Sequence, residues 1–137
     1  MDYLQLQQVR EFLQDSERRS LFVARLPNRY PSFLKIVHPE VILYRETYPK
    51  LFAYHKLAEA TELLKIQYVI DEGFSYQDRP QNIVFLHPMA DDRIYKVALK
   101  ATKKRDKVIL TTMHRIKRPQ YTSLIKRAER DGTKIGP

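Results

Sequence analysis

Hydrophobic positions recur in two rhythms along this chain, and the rhythm changes near Lys65. Before it the spacing is mostly helical. Leu4, Leu6, Val9, Phe12 and Leu13 predict a helix over residues 2–19, with Asp2 as its N-cap. The short apolar piece LFVARL at 21–26 reads as a strand or as the start of another helix. Pro27, Pro31 and Pro39 then break the pattern, so any helix over 32–38 is short. A second substantial helix is expected over 48–65, with Pro49 in its first turn and Leu51, Phe52, Tyr54, Leu57, Ala58, Leu63 and Leu64 as its core stripe.

After Lys65 come short runs rich in β-branched residues: QYVID at 67–71, NIVFL at 82–86, IYKVAL at 94–99 and KVILTTM at 107–113. Turn-forming stretches separate them at 77–80, 87–92 and 103–106, which predicts a meander of about four antiparallel strands. Residues 120–130 read as a closing basic helix with Gly132 near its end, followed by a frayed tail over 131–137. The expected fold class is therefore α+β. N-terminal helices pack on a roughly four-stranded antiparallel β-meander, and a short basic C-terminal helix follows. A single domain spans 1–137: a helical part over about 1–66, a sheet over about 67–116, and the C-terminal helix and tail over about 117–137. The helices should cover one sheet face and leave the other partly open.

Composition adds three points. With 137 residues, 43% of them hydrophobic, the chain can bury a core, and disorder throughout is not expected. The absence of cysteine removes thiolate chemistry and Cys-based zinc sites, and suits a reducing compartment. Residues 1–10 lack the basic and apolar regions of a signal peptide, and no apolar run reaches the roughly 18–20 residues that cross a bilayer, so a cytoplasmic protein without a membrane partner is expected. The net charge of +9 sits entirely in the last third: residues 91–137 hold 14 Lys/Arg and 5 Asp/Glu, against 11 and 11 in the first 90. Such asymmetry concentrates an anionic partner on one region, and RNA is the partner it best suits.

Strand parity locates candidate chemistry. In the third run Tyr95, Val97 and Leu99 share the core face, and Lys96, Ala98 and Lys100 share the other. If the apolar sets of the last two runs match, Lys96, Thr112 and His114 fall together on the non-core face. A slip of one residue would instead bring Thr111 and Arg115 beside Lys96. Metal-free RNA cleavage needs proton carriers and a cation for the phosphorane, which histidine and Lys/Arg supply. Arg115 has the geometry for a bidentate phosphate grip. The same residues also suit a solvated strand with β-favouring threonines. With four histidines at non-ligand spacing and three glycines outside any glycine-rich motif, no metal site, cofactor or nucleotide loop is expected.

The segments VIDEGFSYQDRPQNIVFLHP and RIYKVALKATKKRDKVILTTMHRI, with the helices before them, resemble the barnase–EndoU–colicin–RelE superfamily, in its branch of phage and mobile-element nucleases. The similarity covers about residues 51–117 and rests on Val97-Ala98-Leu99-Lys100 and Thr111-Thr112-Met113-His114-Arg115. The resemblance implies helices packed on a four-stranded antiparallel sheet and a metal-independent ribonuclease, often a toxin with an acidic antitoxin or immunity partner. On that reading His114, Thr112, Lys96 and Arg115 are catalytic, and His55 is the candidate second proton carrier. Lys100, Lys103, Lys104, Arg105, Lys117, Arg118, Lys126 and Arg127 are expected to hold RNA, with tRNA among the candidate substrates. Two other readings use the same surface: a non-catalytic RNA- or DNA-binding protein, and a module for an acidic protein partner.

Overall fold

A computed structural model describes residues 3–28, 30, 34–53, 57–104 and 106–136. In chain order the elements are α1 (Leu6–Gln14), β1 (Ser20–Arg25), β2 (Glu40–Tyr44), 3-10 turns at Tyr48–Leu51 and Ala60–Lys65, α2 (Ile66–Glu72), β3 (Phe74–Gln77), β4 (Asn82–Pro88), β5 (Ile94–Ala101), β6 (Val108–Ile116), α3 (Arg118–Asp131) and β7 (Lys134–Gly136). The fold is α+β, with three α-helices among the described residues and a seven-stranded mixed sheet in the order β1-β2-β6-β5-β4-β3-β7.

The expected antiparallel meander is its centre: β3, β4, β5 and β6 are consecutive antiparallel neighbours. Its first strand is misplaced in the sequence reading. Residues 67–71 belong to α2, because Ile66, Val69 and Ile70 form a buried helical stripe that outweighs the β-branched content. Gly73 ends that helix and lets the chain turn into β3. A Cβ there would lie 2.4 Å from the Val69 carbonyl oxygen and 2.9 Å from that of Leu86.

The sheet is also wider than four strands. LFVARL lies in and just after β1, and β2 pairs with β1 on one side and, in parallel, with β6 on the other. The tail is not frayed: after Gly132 takes the left-handed turn that closes α3 (φ 71°), Lys134 and Gly136 pair with β3. Among the described residues, the span 48–65 expected as a single helix holds 3-10 turns at Tyr48–Leu51 and Ala60–Lys65. The second begins afresh at Glu59, where the Glu62 carboxylate reaches back to the backbone N–H groups of Ala58 and Glu59. α1 is shorter than expected and is capped by a reciprocal Gln5–Gln8 pair; the proposed cap Asp2 lies outside the described residues.

Two apolar layers flank the sheet. The main core fills the inner face, where α1, α2 and the 3-10 turns meet Val97, Leu99, Leu110 and Met113. The outer face is not wholly open. Tyr121, Leu124 and Ile125 of α3 pack on a smaller cluster of Val84, Leu86, Ile94 and Ile116. The β1–β2 end of that face carries no such cover among the described residues, and Phe22 is 53% exposed there.

Candidate nucleic-acid interface

The register of β6 decides which side chains meet. Strict alternation would place Leu110 on the same face as Thr112 and His114. A bulge at Thr111 avoids this: Leu99 faces Leu110, while Ala98 faces Thr112, so one extra residue sits between. The Thr111 hydroxyl donates to the Ala98 carbonyl at 2.9 Å. Leu110 and Met113 both become fully buried, and Thr112 and His114 emerge on the outer face.

There Lys96 stands directly across the strand from His114. Opposed residues on one sheet face have Cβ atoms about 4.5–5.5 Å apart, within reach of a shared phosphate. Thr112 Oγ1 lies 3.3 Å from His114 Nδ1, close enough to fix the ring. All three are half-buried. Lys96 also lines a cleft of about 290 Å³ beneath α3, together with Tyr76, Arg79, Leu124 and Arg127. Burial, reinforced by the nearby Asp78 carboxylate, pushes the Tyr76 phenol pKa up.

Arg115 is not part of this group. As the next residue on the strand it points to the inner face, where its Nε and Nη2 donate to Glu62 Oε1 at 2.7 and 2.6 Å. The Tyr95 hydroxyl donates to the same oxygen at 2.6 Å, and Oε2 accepts from Ala58 and Glu59 at 2.7 and 3.0 Å. Arg93 approaches at 3.8 Å. Glu62 is only 3% exposed. Burial alone would raise its pKa, but hydrogen bonds from Tyr95, from the two backbone N–H groups and from Arg115 outweigh that and hold it below the usual carboxylate range. For Tyr95, burial and the hydrogen bond to this carboxylate raise the phenol's pKa. The sequence reading missed Glu62; the Glu59-x-x-Glu62 spacing of a capping box was the local signal available.

The remaining candidates form a surface around the outer face. Lys103 and Lys104 are exposed at the β5–β6 hairpin tip, and Lys100 lines a hollow with Arg79 and Asn82. Lys117 precedes α3, and Arg118, Lys126 and Arg127 lie on its exposed side. His55 and Arg105 lie outside the described residues. Of the other histidines, His38 is exposed near Phe22, and His87 packs its ring against Tyr68 at 5.1 Å, where burial lowers its pKa. No family model, curated protein or solved structure matches the chain.

Proposed function

We propose that this protein is an endoribonuclease that cuts RNA without a metal ion, on the outer face of β5 and β6. The observation that carries the reading is Lys96 opposite His114, with the Thr112 hydroxyl on the imidazole. In such cleavage a base takes the proton of the 2′-hydroxyl, the 2′-oxygen attacks phosphorus, and the bond to the 5′-oxygen breaks. An acid protonates the departing oxygen, leaving a 2′,3′-cyclic phosphate and a 5′-hydroxyl. In this reading His114 carries one of those protons, and the Lys96 ammonium offsets the charge that builds on the phosphorane. Thr112 orients the ring. His55 is proposed as the second proton carrier. Lys100, Lys103, Lys104, Lys117, Arg118, Lys126 and Arg127 supply backbone-binding charge around the cluster.

A second reading, RNA binding by the same surface without cleavage, is favoured by one observation: among the described residues His38 and His87 lie away from the cluster, which leaves it one histidine. A pair of oligonucleotides separates the two. An unmodified RNA and its fully 2′-O-methylated counterpart are incubated with the protein in excess EDTA. The ribonuclease binds both and cuts only the first; a protein that binds both and cuts neither is the second reading.

A further inference from the structure

α3 turns chemically opposite sides to its surroundings. Tyr121, Leu124 and Ile125 rest on the outer-face cluster, and Ala128 is buried beside them. The other side carries Arg118, Thr122, Lys126 and Arg130, each four residues from the next, with Ser123 and Arg127 in the adjacent row. Together with Pro119 these residues line an open hollow of about 780 Å³. Residues four apart stand above one another on a helix, ~6 Å apart along its axis, so the first row presents one donor per turn over ~18 Å. The first row contains no acid, and the second ends at Asp131. The acids of α3 are Glu129 and Asp131. Asp131 accepts from its neighbour Arg130 at 3.0 Å, but both side chains are exposed, and such a pair yields easily to a phosphate.

We infer that this ridge of α3 is a phosphate track that holds one RNA strand by its backbone, beside the Lys96–His114 pair. The inference deepens the ribonuclease reading and rests on RNA being the ligand. Arg127 joins the two places: it lines the hollow on α3 and also the cleft that contains Lys96. The lining offers guanidinium, ammonium and hydroxyl donors and no aromatic ring, a set that grips phosphates and leaves bases unread. The substrate class is accordingly a strand several nucleotides long that runs from the cleft over α3, bound without sequence preference by this part of the protein.

The test measures binding apart from cleavage. A fluorescent 20-nucleotide 2′-O-methyl RNA is titrated against the full chain at several salt concentrations. Wild type is compared with the triple variant R118Q/K126Q/R130Q and with the control K50Q/K65Q, whose exposed lysines lie on the 3-10 turns. Each lost phosphate contact removes ~0.7 from the slope of log affinity against log salt for a single strand, so the triple variant should be shallower by ~2 and the control unchanged. If the triple variant melts early, K126Q alone is compared for a change of ~0.7. A wild-type slope in these variants overturns the track, whether or not the protein cuts RNA. A wild type that binds through the track but never cleaves leaves the track standing and removes the ribonuclease. No binding even at low salt overturns both.

Discussion

His114 and Arg115 are neighbours on β6, yet the two faces of the sheet treat them in opposite ways. On the inner face Arg115 is locked to a buried carboxylate that also accepts from Tyr95 and from two backbone N–H groups. On the outer face His114 meets a lysine across the strand and a threonine hydroxyl, beside a cleft that opens to solvent. The inner arrangement is saturated with donors and anchors the turn at 60–65 to the last central strand. The outer one sets a lysine, a threonine and a histidine side by side, and the adjoining cleft is lined by Arg79 and Arg127 as well as by Asp78 and Asp131. One end of a strand thus serves stability on one side and, in our reading, chemistry on the other.

The comparison breaks most completely if β6 slips by one residue beyond the bulge. Inserting one alanine between Thr112 and Met113 would shift every later residue of β6 to the opposite face, turning Met113 outward and drawing Arg115 away from Glu62. Losing a buried methionine costs about 2–5 kcal/mol and breaking a buried ion pair about 3–5 kcal/mol, so cooperative unfolding in urea should be lost. Next comes Glu62→Ala, which strands the Arg115 guanidinium and the Tyr95 hydroxyl. It should destabilise the protein by about 3–5 kcal/mol in the same assay. Tyr95→Phe removes one donor to a charged acceptor and should cost about 1.5–3 kcal/mol.

The acid limb of stability follows from the same carboxylate. Because its folded pKa is depressed, the contribution of Glu62 is fully present above the ordinary carboxylate range and is lost as pH falls through the lower folded value. Urea midpoints measured from neutral pH downward should therefore fall, and Glu62→Gln should flatten that fall. On the outer face the expected stability effects are smallest. His114→Ala and Lys96→Met should each stay within about 0.5 kcal/mol of wild type, while RNA cleavage by the first is abolished.

Legibility in the sequence divides along similar lines. The faces of β5 were readable, because Tyr95, Val97 and Leu99 alternate cleanly with Lys96, Ala98 and Lys100. Those of β6 were readable only up to two registers, since a bulge hides in TTM, where nothing breaks the apolar run. α2 was misread because QYVID satisfies both periods, and only its contacts with the core choose the helix. The Glu62–Arg115 pair spans 53 residues, a separation at which no spacing rule operates. β7 has three residues, too few to show a pattern. The outward ridge of α3, by contrast, is plain once the helix is placed, because its donors recur every fourth residue.

The account turns on His114, and one measurement addresses it directly. A defined RNA is incubated in excess EDTA with wild type and with His114→Ala, after urea denaturation has shown equal stability, and the product ends are identified by mass spectrometry. The account predicts 2′,3′-cyclic phosphate and 5′-hydroxyl ends with wild type and intact RNA with the variant. Intact RNA with both proteins, or equal cleavage by both, would contradict it.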